Sequence, residues 1–566
     1  MLLISFPVGA EDQGFLASLY STAAEVLPRV EYSVTKMDNN TRRDFVKTGA
    51  LFAGAALCPV NATLNKESET PAGPYFDVKL FGASGDGKTI DTPAINRAIE
   101  TAAAAGGGTV VFPAGTYLCF SIRLKSKVTL NLSSGSRIVA AETDPKEPAL
   151  GYDAAESNAP WEDYQDYGHN HWHNSLIWGD GLENIAICGP GFIWGKGLSR
   201  GEGPGPVAEQ PGVGNKAIAL KNCRDVLLRD FSILHGGHFG ILATGVDNLT
   251  IDNLKIDTNR DGIDVDCCRN VRISNCSVNS PWDDAICLKS SFALGYPRAT
   301  EMVTITNCLV SGSFVEGTLL DATFKRYPAN TDVDRNGRIK LGTESNGGYK
   351  NITISNCVFD GCFGLTILSV DGGAIEDVSI SNITMRDTVG SPIFLRLGSR
   401  MRGPAGIPVG SIRRVNISNL VSQSAQSQIC SMIVGIPDHR IEDVKISDVL
   451  IQHAGGGTKQ QAATHIEEKE KTYPEPTMFG ATPAHGILVR HASGIEISDY
   501  RVITERPDAR PSVLLDDVSH VDVCNLKSPK ATDTPLIVLH DVRDFTLERS
   551  KGLADTRIAD TKHQEL

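Results

Sequence analysis

From about residue 225 onward the chain repeats one short alternation of apolar and polar residues. It reads Asn248-Leu-Thr-Ile-Asp-Asn253-Leu254, then Asn270-Val-Arg-Ile-Ser-Asn275-Cys276, and returns at 302–308, 351–357, 377–383 and 414–420. Weaker copies stand at 225–231, 443–449 and 494–500. Every second residue of a strand faces the same side, so each copy predicts one strand with one apolar face. Strands recurring every twenty-odd residues cannot each bury that face alone, but stacked as coils they bury a continuous core. A propeller needs four strands per blade and a longer period. The pattern therefore predicts an all-β chain, a single-stranded right-handed parallel β-helix. The Asn before each apolar terminus suits a left-handed turn position, where its amide can bond the copies on either side.

One helix is expected, over Thr92–Ala104, where Ile95 and Ile99 lie four apart among alanines and Gly106-Gly107-Gly108 ends the run. It would cap the first coil. The β-helix is placed at 75–555, followed by a tail at 556–566. Coils longer than the basic repeat mark outward loops at 291–301, 317–337 and 455–483, and loops of this kind often carry function.

The N-terminal stretch reads differently. Thr41-Arg42-Arg43-Asp44-Phe45-Val46-Lys47 precedes a mildly apolar run and the small-residue site Val60-Asn61-Ala62. This resembles a bacterial twin-arginine (Tat) export signal, so residues 1–62 are read as an extension with that signal and 63–74 as a linker. The apolar run is too short to span a bilayer, so no stable membrane insertion is expected after processing. The expected destination is the periplasm or the exterior. Cys58 admits a lipoprotein alternative, which Leu57 disfavours, and Met37 is an alternative start.

Composition adds exclusions. The formal net charge of −13 argues against a nucleic-acid partner, because phosphate binding needs clustered Lys and Arg. It leaves an anionic glycan open, since a cleft can be locally basic. Among thirteen cysteines, Cys276, Cys308 and Cys357 recur at one place in the repeat and read as stacked core positions, with zinc as the weaker alternative. No cofactor or metal is expected, and the chain is expected to be a monomer.

Two stretches hold candidate chemistry: Asn259-Arg260-Asp261-Gly262-Ile263-Asp264-Val265-Asp266 and Trp282-Asp283-Asp284-Ala285. Asp261 and Asp283 are twenty-two residues apart, as are the phrases beginning at Asn248 and Asn270. The spacing predicts equivalent positions on adjacent coils, about 4.8 Å apart along the axis, with His238 beside the same column. Carboxylates this close cannot all ionise freely, and a protonated carboxyl beside a charged one is what glycoside hydrolysis uses. Asp264 and Asp266 read instead as turn caps or calcium ligands. His169, His171 and His173 alternate and admit a metal site, although a sugar-binding rim with Trp161 and Trp172 as stacking faces, or a hydrogen-bonded loop, is the more ordinary reading.

These residues resemble glycoside hydrolase family 28, the polygalacturonases and rhamnogalacturonan hydrolases. The likeness begins near Phe76, with Phe81-Gly82-Ala83-Ser84-Gly85-Asp86-Gly87 and Gly106-Gly107-Gly108-Thr109-Val110-Val111-Phe112-Pro113, a structural segment shared with related lyases. Asn259 to Gly262 matches the family's Asn-x-Asp-Gly, and Asp283-Asp284 its paired aspartates. The resemblance implies an inverting mechanism, with Asp283 as general acid and Asp261 and Asp284 activating water, and carboxyl groups splayed to about 6.5–9.5 Å. It also implies a Gly-His-Gly in the next coil and an Arg-Ile-Lys that grips the substrate carboxylate. The matching stretch for the first is Asn336-Gly337-Arg338-Ile339-Lys340-Leu341-Gly342, without histidine, and for the second Phe363-Gly364-Leu365-Thr366-Ile367-Leu368, with neither base.

Replacement cations are then sought in Arg338, Lys340, Lys289 and Arg396, with Asn259, His238 and Trp172 as further substrate contacts. The expected partner is an acidic or branched plant-type polysaccharide, rhamnogalacturonan being preferred. The alternatives are a pectate-lyase-like β-eliminase using calcium and an Arg or Lys base, and a non-catalytic glycan-binding helix.

Overall fold

The computed structural model describes residues 74–566 apart from 145, 166, 202–208, 329–330, 332 and 425–426. The expected export signal, its cleavage site, Cys58 and nearly all of the linker lie outside the described residues. The described chain winds as a parallel β-helix. Its strands stack in register along three faces, as in Ile263↔Ile286, Ile273↔Ile305 and Val278↔Val310.

The repeat phrase explains the core. Its central apolar residue meets its counterpart in each successive coil: Leu228, Ile251, Ile273, Ile305, Ile354, Ile380, Ile417, Ile446 and Ile497 form one column through successive strand pairings. All nine are buried. The Asn at the end of each phrase adopts the left-handed conformation, with φ of 52–58° from Asn253 to Asn419. Its amide bonds the neighbouring coil, as in Asn382 to Asn356 at 3.0 Å and Asn419 to Asn382 at 3.3 Å. Cys276, Cys308 and Cys357 sit in the main apolar core.

The helix Thr92–Ala104 covers the first coil through Ala94, Ile95, Ala98, Ile99 and Ala102. The far end departs from expectation. The segment read as a tail is a strand, Thr556–Glu565, which pairs antiparallel with Ile537–Glu548. It supplies a partner for the last coil's open edge, which would otherwise present unpaired backbone groups.

Candidate active site

The aspartates meet on the face built from Phe239–Thr244, Asp261–Asp266, Ile286–Ser290 and Ile339–Ser345. The register differs from the simple count. Ile263 pairs with Ile286, and the Gly262 N–H donates to the Asp284 carbonyl at 3.0 Å, so Asp284, not Asp283, stands opposite Asp261. The cause is the bend before the strand. Asp257 pairs with Asn279, and the Trp282 N–H donates to the Asn259 carbonyl just as the Ser277 N–H donates to that of Leu254, so the twenty-two-residue register persists as far as Trp282. The chain therefore spends its one extra residue between Trp282 and Ala285, at the paired aspartates. Asp283 consequently lies in the bend with its side chain 24% exposed, while Asp261 and Asp284 are buried.

One oxygen from each of Asp261, Asp283 and Asp284 lies within 4.8 Å of the other two. This is tighter than the splayed arrangement of about 6.5–9.5 Å that the resemblance implies. Two oxygens up to 4.8 Å apart can still be bridged by one water at ordinary hydrogen-bond length. The same three oxygens also suit a divalent cation.

Surroundings divide the group. Among the described residues the Asp261 Oδ1 has no hydrogen-bond partner. Burial, then the charges of Asp264 and Asp283, push its carboxyl well above the usual carboxylate range. Burial also raises Asp284, but Lys340, Arg338 and Lys289 outweigh it and hold this carboxyl down at about 2. Arg338 Nε donates to Asp284 Oδ1 and Lys340 Nζ to Oδ2, both at 2.8 Å. Asp283 Oδ2 accepts from Arg260 at 3.3 Å. The cluster thus sets a carboxyl raised above its usual range beside one held ionised, the pairing that acid–base chemistry needs.

Arg338-Ile339-Lys340 spells the tripeptide that family resemblance seeks one coil later. In the structure it is this stretch, not the one around Thr366, whose cations reach the aspartates. Lys289 is buried between Asp264 at 3.6 Å and Glu344 at 3.4 Å. Asp266 accepts from the Ser291 N–H and hydroxyl, which agrees with a turn role. Asp264 has no hydrogen-bond partner on either oxygen among the described residues, so it caps no described turn.

Other expected contacts fall elsewhere. Asp261 registers against Phe239, because the bend before it is one residue shorter than the preceding one. His238 sits a position off that column, stacked on the Phe239 ring at 4.4 Å. Burial and then Arg260 drive its imidazole well below the usual range, so it is neutral. Trp172 is buried; its Nε1 donates to Thr244 at 3.1 Å and Lys221 covers its ring, leaving no face for a sugar. Arg396 is also buried, and donates to the Gly435 and Glu468 carbonyls, so it holds a loop rather than facing the cluster. Asn259 is half-buried and enters through its carbonyl. The three alternating histidines do not share a strand face: His171 bonds Glu162 at 2.8 Å, His169 packs on Phe239 and His173 on Trp178.

Sequence reasoning missed Tyr473 and Glu475. Both come from the connection between Ile441–Gly455 and Ile487–Arg506. Glu475 receives two hydrogen bonds from Arg338, at 2.8 and 2.6 Å, and the Tyr473 hydroxyl accepts from Thr343 and Lys340. Only the length of that loop signalled it.

Comparison with known proteins agrees with this architecture. Residues 75–141 match the family model "Rhamnogalacturonase A/epimerase, pectate lyase-like", and residues 216–400 match "Right handed beta helix region". A probable polygalacturonase of Vitis vinifera is 24% identical over 439 residues, 72% of this chain and 80% of that protein. Mannuronan C5-epimerase AlgE3 of Azotobacter vinelandii is 50% identical, but over only 66 residues, 12% of this chain and 4% of that protein. Among solved structures, an exopolygalacturonase from Thermotoga maritima superposes with a TM-score of 0.55 at 17% identity, covering 87% of this chain and 94% of the other. That likeness establishes the fold. The chain has the right-handed parallel β-helix fold and is similar over most of its length to a probable polygalacturonase.

Proposed function

We propose that the protein hydrolyses glycosidic bonds in a pectic polysaccharide or oligosaccharide, using Asp261, Asp283 and Asp284. The observation that carries this reading is the meeting of three carboxyl groups from two coils within 4.8 Å, one raised above the usual carboxylate range and one held ionised. Like charges so close are destabilising without a use. Asp284, fixed by Arg338 and Lys340, takes a proton from a water lying between it and Asp261. Asp283 reaches the open rim and delivers a proton to the leaving oxygen, with Asp261 as the neighbouring store. Direct attack by water inverts the anomeric centre. The acid and the water then lie on different sides of the trio, which is how the tight spacing is accommodated. The similarity to the Vitis vinifera probable polygalacturonase supports a pectic substrate, and the altered Arg-Ile-Lys coil supports a backbone other than plain polygalacturonate. The twin-arginine stretch supports export.

A β-eliminase would need a neutral Lys or Arg as base. Burial is the largest single effect on Lys289, Lys340 and Arg338 and lowers each, but Cys287, Asp264 and Glu344 hold Lys289 well above its ordinary range, Asp284 and Tyr473 do so for Lys340, and Glu475 and Asp284 for Arg338. They stay protonated and serve poorly.

Incubation with a panel of pectic oligosaccharides is expected to release saturated reducing ends, without dependence on added calcium, and rhamnogalacturonan fragments are expected to be cleaved faster than polygalacturonate. Products bearing an unsaturated end, or no cleavage of any member, would reject the reading.

A further inference from the structure

The cationic fork beside Asp284 is already filled. Arg338 directs Nη1 and Nη2 at the two oxygens of Glu475 and Nε at Asp284. Its side chain is fully buried, so no edge remains for a second anion. Lys340 gives its ammonium to Asp284 at 2.8 Å and to the Tyr473 hydroxyl at 3.4 Å. Arg338 and Lys340 thus face Asp284 and Glu475, and these four charges balance without a ligand. A guanidinium fork matches a carboxylate in shape and charge, and here the protein supplies that carboxylate itself.

Glu475 does so from 137 residues downstream, on a loop held at several points. Arg396 donates to the Glu468 carbonyl at 2.6 Å and the Ser399 N–H to the Glu470 carbonyl at 2.8 Å. Thr343 donates to the Tyr473 hydroxyl at 2.9 Å, and Arg490 and His491 hold the Glu468 carboxylate. Withdrawing Glu475 would leave a buried guanidinium short of its counter-ion, which is costly.

We infer that Glu475 sets substrate specificity: it occupies the seat on Arg338 that a uronate carboxylate would need, so the sugar lying over Asp284 is an uncharged hexose or deoxyhexose. This rests on the hydrolytic reading of the site and names the sugar class the site holds. A uronate in the same place would meet Asp284 and Glu475 with Arg338 and Lys340 already spent on them and Lys289 held between Asp264 and Glu344.

Binding of galactose, rhamnose and galacturonate to the full protein, followed by ligand-observed NMR titration, tests the inference without relying on turnover. The wild type is expected to bind at least one neutral sugar at least tenfold more tightly than galacturonate. Glu475→Gln, which keeps the size of the side chain and an acceptor for Arg338, is expected to shift that ratio at least tenfold towards galacturonate. Galacturonate binding more tightly than both neutral sugars in the wild type would overturn the inference, as would failure of both neutral sugars to bind. An unchanged ratio in a folded Glu475→Gln protein would overturn it too. The wild-type comparison stands alone if the variant does not fold. A failed hydrolytic reading appears separately, as absence of product from the oligosaccharide panel.

Discussion

Asp283→Asn is expected to leave the β-helix intact and lower kcat/KM on the susceptible glycan by a factor of about 10²–10⁴, the range over which a positioned general acid contributes. The side chain lies in a bend and is 24% exposed, so it supports no core packing. Its internal partners are the Asp284 N–H at 3.0 Å and Arg260 at 3.3 Å, and an amide oxygen can accept from either. What the amide lacks is an acidic proton to give a leaving oxygen. Oligosaccharide affinity should therefore change little while turnover collapses. Steady-state kinetics with thermal melting separate these effects. A variant keeping more than a tenth of wild-type activity would remove Asp283 from the acid role, and equal loss of binding and turnover would make it a substrate contact instead.

The second large effect concerns stability. Asp264 is fully buried and, among the described residues, lacks a hydrogen-bond partner on either oxygen. Burial is the main cause pushing its carboxyl up to about 8; Lys289 opposes this, and Asp283 and Asp284 add to it. In the unfolded chain an Asp titrates near 3.9. Below about pH 4 both states hold the proton and the group is neutral in its effect. Between about 4 and 8 the unfolded chain ionises while the folded one retains its proton, so stability falls as pH rises. Above 8 the loss is complete. A tenfold difference in proton affinity is worth about 1.4 kcal/mol, so the total reaches a few kcal/mol. Asp264→Asn has nearly the shape of the protonated acid and cannot ionise. It should match the wild type near pH 4 and exceed it increasingly up to about pH 8, as read from denaturant unfolding at several pH values. Asp261 and Asp266 are raised in the same direction, so both proteins keep a slope and the difference between them reports Asp264. A constant difference across pH would contradict the assignment. Retention of a costly buried carboxyl is what a site that trades stability for chemistry displays.

The parts of this architecture that were legible share one property: they repeat. Alternation exposes the strands, and the Asn–apolar ending exposes the coil length. A thirteen-residue amphipathic run exposes the capping helix. Aspartates spaced by a coil could be brought to one face on that basis alone. The bends are different, because their length varies without altering the alternation on either side. One extra residue between Trp282 and Ala285 moved Asp284 into register with Asp261, and one fewer residue before Asp261 moved Phe239 into the place expected for His238. Trp172 could not be told from a sugar platform because an indole packed against Ala219, Phe239 and Leu242 has the same local sequence as an exposed one. The strand Thr556–Glu565 has few apolar residues and leaves most of its side chains outside the core, so no periodic apolar signal marked it. Glu475 was out of reach for a further reason. Which coil a long loop folds back upon depends on contacts such as Arg396 to Glu468, and no local pattern encodes them.

The proposed hydrolysis requires one glycosidic bond to lie over side chains from two successive coils. A crystal structure of Asp283→Asn bound to a pectic oligosaccharide examines this directly. The predicted result is a glycosidic oxygen within about 2.6–3.2 Å of the side chain at position 283, with a water between Asp261 and Asp284 facing the anomeric carbon. An oligosaccharide seated on another face of the β-helix, or one whose linkages all lie beyond reach of these three positions, would contradict it.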